Sequence, residues 1–173
     1  MTTLTIAHRW DGVRLAHAAA RLRLALEPDA LRIEVEAPFH GDPAPTGAAG
    51  PTDRLWEHEV VELFIQGSGP AYTEVELGPA GHHLVLRLDG VRQVRDSLLP
   101  IDFAAEVLGG RWRGVARVPR SLLPALPWRG NAYAIHGPPR ARVYSAWQPV
   151  PGAQPDFHQP AAFAPLGLGG ADG

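Results

Sequence analysis

Short runs in which every second residue is apolar, cut repeatedly by glycine and proline, dominate this chain. Period-two alternation sends successive side chains to opposite faces, as in a half-buried β-strand, and the 3.6-residue period of an amphipathic helix is scarce. Nineteen glycines and eighteen prolines in 173 residues leave little room for long helices. They predict many short segments joined by turns. Arg21 to Glu27 and Leu31 to Glu36 alternate on either side of Pro28-Asp29 and read as a hairpin. Gly41 to Pro51 (GDPAPTGAAGP) reads as a long surface loop. Leu55–Gln66, Tyr72–Leu77 and His82–Asp89 read as three strands of a meander, joined by Gly67–Pro70 and Gly78–Gly81. Phe103–Leu108, Arg111–Val118, Ala132–His136 and Arg142–Trp147 add further strands, and Arg120 to Leu123 reads as a helical turn. Nine or more strands at this spacing predict an all-β, antiparallel β-sandwich of jelly-roll type with little helix. We expect one domain over residues 1–166 and a flexible tail over 167–173 (GLGGADG).

Composition narrows the partners. The formal net charge is −2, and all sixteen basic residues are arginine, with no lysine; a biased genome explains that most simply. The arginines are scattered, so no basic stripe exists to neutralise a phosphate backbone, and nucleic acid is not expected as a partner. Cysteine is absent, which excludes disulfides, thiolate metal sites and a cysteine nucleophile. No leader-like segment opens the chain, and no apolar run approaches the roughly 18 residues a spanning helix needs. The expectation is a cytoplasmic protein of bacterial type without a membrane partner.

Several chemistries fail on spacing. His58-Glu59-Val60-Val61-Glu62 is half of the H-E-x-x-H zinc-protease pattern, but its surroundings have a strand period. On a strand, His58 and Glu62 lie about 13 Å apart, too far for one metal. Ser68, Ser97, Ser121 and Ser145 sit in no G-x-S-x-G elbow, and no glycine run matches a phosphate loop. What stands out is polar and aromatic character on the meander: Trp56, His58, Glu62, Tyr72, Glu74, Glu76, His83 and Arg87. As plain core, Glu62 would have to pair with Arg87. As a concave sugar site, aromatic rings would stack on a pyranose while acids and guanidinium take its hydroxyls. A second aromatic segment runs from Tyr144 to Pro149 and from Pro155 to Pro160. It reads either as an ordered closing loop, with Asp156 and His158 in local backbone hydrogen bonds, or as the source of a second stacking ring, Trp147.

The stretches LWEHEVVELFI, YTEVELGPAGHHLVLRLDG, NAYAIHG and PDFHQPAAF, between roughly Leu31 and Phe163, resemble the DOMON-like superfamily. More narrowly, they resemble its bacterial branch related to family 9 carbohydrate-binding modules, and a small uncharacterised family with bacterial and vertebrate members. The resemblance implies a β-sandwich with a non-catalytic ligand pocket. In those sugar binders two tryptophans sandwich a terminal sugar, and an acid six positions after the first holds its hydroxyls. Trp56 and Glu62 match that spacing, and Trp147 stands for the second ring. Arg87 is the candidate arginine by face, with His58 and His83 beside it. No run of calcium-binding acids is recognisable, so calcium is left open and no cofactor is predicted. Haem is disfavoured, because Met1 is the only methionine and lysine is absent.

The leading expectation is therefore a non-enzymatic module that binds a sugar-like, polyhydroxylated molecule. It requires Trp56 and Trp147 to face each other across one cleft, about 7 Å apart if a single ring is to stack between them. A small acid–base or metal-dependent enzyme built on Glu62, Glu74, Glu76 and His83 is the first alternative. A protein-interaction module is the second.

Overall fold

The computed structural model describes residues 1–168. Thirteen strands follow in chain order: β1 Thr2–Ile6, β2 His8–Arg9, β3 Ala20–Leu26, β4 Ala30–Pro38, β5 Val60–Gln66, β6 Tyr72–Leu77, β7 His83–Gly90, β8 Gln93–Asp96, β9 Asp102–Leu108, β10 Arg111–Pro119, β11 Arg129–His136, β12 Val143–Ala146 and β13 Ala164–Pro165. They form two antiparallel sheets, one of five strands ordered β1-β3-β4-β10-β9 and one of eight ordered β2-β12-β11-β5-β6-β7-β8, with β13 added beside β11. No α-helix occurs among the described residues, and none of their helical turns is long and apolar enough to cross a membrane.

Alternation decides which side chains lie between the sheets. Leu22 and Leu24 of β3, Leu31, Ile33 and Val35 of β4, and Trp112, Ala116 and Val118 of β10 face inward from the smaller sheet. Val61, Leu63 and Ile65 of β5, Val75 and Leu77 of β6, and Val85 of β7 meet them from the larger one. Burying such side chains contributes roughly 1.5–3 kcal/mol each and drives the two layers together. The close approach of β11 to β5 depends on Gly130, where a Cβ would lie 2.0 Å from the Phe64 carbonyl oxygen.

The β3–β4 hairpin, the 41–51 loop, the β5–β6–β7 meander and the turn at Arg120–Leu122 lie where alternation and punctuation placed them. Leu55–Gln66 is not one strand. Arg54 takes a left-handed conformation (φ 56°), Leu55–Glu57 forms a single 3₁₀ turn, and the strand starts only at Val60. Leu55 is fully buried and anchors that turn, which lifts Trp56 out of the sheet to an edge. Gly67–Pro70 and Gly78–Gly81 make their turns, while β1, β2, β8 and β13 are additional strands, of which β1 alternates with Leu4 and Ile6 buried. Of the expected tail, Leu168 packs into the inter-sheet core, and residues 169–173 lie outside the described residues.

Candidate functional site

The outer face of the larger sheet is covered rather than bare. Phe64, Tyr72, Leu84, Leu86, Leu88, Tyr133 and Ile135 project from it, and the segment following β12 folds over them. Phe157 of that segment stacks on Tyr133 at 3.8 Å with the rings 7° from parallel, and Tyr133 Oη donates to the Phe157 carbonyl. Arg129 donates to the Phe163 carbonyl at 2.5 Å, and the Tyr72 hydroxyl lies 2.6 Å from His158 Nδ1. Arg92 bridges to Asp156 at 2.8 Å. Where this cover stops, an open cleft of about 350 Å³ remains. Glu62, Phe64, Glu74 and Leu88 are its buried lining, Pro155, Phe157 and His158 come from the covering segment, and Trp56 and Arg92 stand exposed at its margin.

Strand register brings the acids together. Glu62 lies directly opposite Glu76, and Glu74 is two residues along the same face of β6. One oxygen from each of Glu62, Glu74 and Glu76 lies within 4.8 Å of the others, and all three residues are buried. Both Glu76 oxygens and one Glu74 oxygen have no hydrogen-bond partner as carboxylates. Burial raises all three acids, and repulsion from neighbouring carboxylates adds to it for Glu62 and Glu76. Glu74 is held at about 7: burial raises it, while a hydrogen bond from protonated Glu76 and the charge of Arg92 pull it back. Near neutral pH the cluster therefore retains protons and can donate as well as accept hydrogen bonds. His158 Nε2 is 3.8 Å from Glu74, beyond hydrogen-bond reach. Burial, then Arg92, drive His158 down to about 4, so it faces the acids uncharged. Oxygen ligands of this kind suit a hard cation, the calcium chemistry left open by the sequence.

Arg142 fixes the rim. Its guanidinium donates to the carbonyls of Trp56 (2.9 Å) and His58 (2.6 Å), to the Gly137 carbonyl, and to Asp42. Ninety per cent of this side chain is hidden, so the turn carrying Trp56 is held by a mostly buried charge that donates through both terminal nitrogens.

The structure divides the sequence candidates. Trp56 and Glu62 share the cleft. Trp147 does not: it follows β12 on the opposite parity and packs against the inter-sheet core, so the two indoles do not face each other across one gap. Arg87 and His83 also leave the acid cluster. Register sets Arg87 opposite Thr73 and His83 opposite Leu77, on the inward side of β7, while Leu84, Leu86 and Leu88 share the face of the glutamates. Arg87 instead pairs with Asp96 at 2.7 Å, so no Glu62–Arg87 pair forms. His83 is buried with its ring edge toward Phe103. His58 turns under the 41–45 loop, its Nδ1 3.0 Å from the Pro43 carbonyl.

Arg92, Phe157 and His158 are among the cleft residues that escaped the sequence reading of the site. Arg92 sits in the β7–β8 turn with φ 59°, a left-handed conformation costing roughly 1–2 kcal/mol that no motif announces. His158 makes the expected local bond, its amide donating to Asp156 Oδ1, but its ring also lines the cleft, as does Phe157. Their signal was the aromatic PDFH segment, which composition alone does not assign to a wall. A larger depression of about 530 Å³ lies over the outer face of the smaller sheet, yet Glu34 and Glu36 there are already paired with Arg23, Arg32 and Arg111. A separate cluster, His17, His40 and His136, gathers at one end of the sandwich.

Among solved structures, a proposed carbohydrate-binding protein from Bacteroides uniformis superposes with a TM-score of 0.74 at 17% identity, over 93% of this chain and 83% of that one. A family 9 carbohydrate-binding module from Caldicellulosiruptor kristjanssonii, solved with glucose, gives a TM-score of 0.52 at 14% identity over 92% and 81%. The same module type solved with cellotriose gives 0.50 at 14% identity over 75% and 65%. At these identities the likeness is one of fold. No established family profile matches the chain. In sequence it is 41% identical over 170 residues to the mouse UPF0462 protein C4orf33 homolog, covering 93% of this chain and 88% of that protein. The human protein is 40% identical over 162 residues (88% and 81%), and the zebrafish homolog 38% over 163 (89% and 83%). These relatives are vertebrate, which corrects the expectation of a protein of purely bacterial type: the family has vertebrate members. With about two-fifths of its residues shared over about nine-tenths of its length, the chain belongs to the UPF0462 family.

Proposed function

We propose that this protein is a non-catalytic binding module for a small polyhydroxylated, carbohydrate-like molecule, held in the cleft between Trp56 and the segment carrying Phe157 and His158. One observation carries the reading: an exposed indole stands at the margin of a cleft lined by buried carboxyl groups, one of which, Glu74, keeps an unpartnered oxygen. Trp56 supplies a stacking surface for the apolar face of a sugar ring. Glu62 and Glu74 offer both acceptors and, when protonated, donors to hydroxyls, and Arg92 adds a donor at the rim. Pro155 and Phe157 add apolar lining from the covering segment, in the role the sequence had given to Trp147. The fold shared with carbohydrate-binding modules supports this choice of ligand class, and the wider DOMON-like grouping rests on the sequence resemblance.

Affinity should be modest. A few hydrogen bonds at about 1 kcal/mol each and one stacked ring place Kd near the millimolar range, where the total is about 4 kcal/mol. Calorimetric titration with glucose, cellobiose and cellotriose tests the idea, with tryptophan fluorescence read as the difference between wild type and Trp56→Phe. Trp56→Ala should weaken binding at least about tenfold, a loss of about 1.4 kcal/mol, while Trp147→Phe leaves it nearly unchanged. If no sugar in the panel perturbs Trp56, the reading fails.

A second reading has one specific observation behind it: Glu74 is poised near pH 7, the range useful to a general acid or base, beside His158 and Tyr72. It predicts turnover of glycoside or ester substrates with an inflection near pH 7 that Glu74→Gln removes. A flat result across such a panel leaves binding alone.

A further inference from the structure

We propose that His17, His40 and His136 form a binding site for a divalent transition-metal ion of zinc type, remote in sequence but assembled at one end of the sandwich. His17 lies in the segment between β2 and β3, His40 just after β4, and His136 at the end of β11. One ring nitrogen from each lies within 4.8 Å of the others, and the Nε2 atoms of His17 and His136 are 3.1 Å apart. Two nitrogens bound tetrahedrally to one zinc at about 2.05 Å would be separated by about 3.3 Å. The rings of His40 and His136 are stacked at 3.4 Å and 2° from parallel, so ligation by both needs one ring to tilt out of the stack.

Three features of the surroundings point to a ligand. The Nδ1 of His17 lies 2.9 Å from the Ala18 carbonyl, and donation there leaves Nε2 as the free lone pair, the arrangement metal-bound histidines adopt. The loops bearing the other two rings are tied down before any metal arrives. The Glu59 carboxylate accepts the backbone amides of His40, Gly41 and Asp42, and Asp42 in turn accepts the amide of Gly137 at 2.7 Å and a guanidinium bond from Arg142. Finally, the three histidines and Ser145, whose hydroxyl is buried without a partner, line one small and otherwise mostly apolar cavity of about 20 Å³. His17 and His40 are exposed, which leaves an entry path, and a fourth coordination position is open to water.

The test is direct titration of chelator-stripped full-length protein with Zn2+ against a chromophoric competitor, followed by Co2+ substitution to read the coordination geometry from its visible absorption. One Zn2+ per chain is expected, with a raised melting temperature. His17→Ala, His40→Ala and His136→Ala should each weaken binding by at least roughly tenfold, whereas His8→Ala should not. Should a variant lose its fold, the wild-type histidine resonances serve instead: Zn2+ must shift those of His17, His40 and His136 and spare His8 and His82. Absence of stoichiometric binding, zinc binding that survives all three substitutions, or shifts at other histidines would each overturn the proposal. None of these outcomes bears on sugar binding at the cleft, so the two readings stand or fall separately.

Discussion

The tripeptide Glu-Val-Glu occurs at 34–36 in the smaller sheet and again at 74–76 in the larger one. In both copies the valine points between the sheets and is buried, Val35 at 3% exposure and Val75 at 0%. The flanking glutamates point outward in both, but what they meet differs. Glu34 lies opposite Arg23 and is bridged by Arg23 and Arg32, each at 2.7 Å, while Glu36 lies opposite Arg21 and Arg113 and pairs with Arg111 at 3.0 Å. The hydrogen bond from Arg32 chiefly holds the Glu34 carboxyl below its usual range. Glu76 instead lies between Glu62 and Leu84, and Glu74 between Phe64 and Leu86, under a cover of chain. Like charges placed opposite each other and shielded from water destabilise a sheet. A fold that keeps such an arrangement carries a structural cost there, which fits a face shaped for a ligand rather than for stability.

The shared half of that comparison should show the largest effect. Val35→Ala and Val75→Ala should each cost about 2–3 kcal/mol in urea denaturation, the lost methyls plus the cavity left behind. A negligible cost at Val75 would mean the two valines are not equivalent core positions. The acids come next. Glu62, Glu74 and Glu76 bind protons more tightly folded than unfolded, so the stability this lends is complete below about pH 4.5 and is lost as pH climbs through each raised folded value, about 7 for Glu74. His136 and His158, both lowered to about 4, act the other way and withdraw stability as pH falls from about 6.5 toward 4. Above pH 6.5 the acids therefore act alone among these groups. Melting temperature should fall between pH 6.5 and 8.5, by the equivalent of at most about 1.4 kcal/mol per pH unit for each proton released. Glu76→Gln should flatten that slope and add about 1–3 kcal/mol at pH 8; a stability curve indifferent to the substitution would show that the acids are not crowded as described. The smallest effect belongs to the first copy. Glu34→Gln should cost less than about 1 kcal/mol, and molar salt should erase most of it, because its partners are half in water.

Much of the scaffold was readable from the residues. Hairpin, meander and two-layer class follow from alternation and from where glycine and proline interrupt it, since both are local properties of the backbone. Trp56 and Glu62 could be picked out because they belong to a run of aromatic and polar residues on the meander and match the Trp–acid spacing of the family the chain resembles. The mistakes share one cause. Alternation tells which residues of a strand share a face, but not which face of the next strand aligns with it. Polarity suggested that His83 and Arg87 join the glutamates, and register put Leu84, Leu86 and Leu88 there instead. Leu55 to His58 kept an apparent alternation although the backbone there is a 3₁₀ turn, because a buried Leu55 satisfies either geometry.

Sequence alone determined most of the longer strands, their alternation and the stretches that could not be regular, because each depends on neighbours a few positions away. Which outward-facing glutamates would be covered was decided only in three dimensions. That depends on contacts such as the one between Tyr72 and His158, 86 residues apart, and on a guanidinium from β12's leading edge gripping the turn that bears Trp56. Charge state follows the surroundings of a carboxyl, and the chain supplies those surroundings only after it has closed on itself.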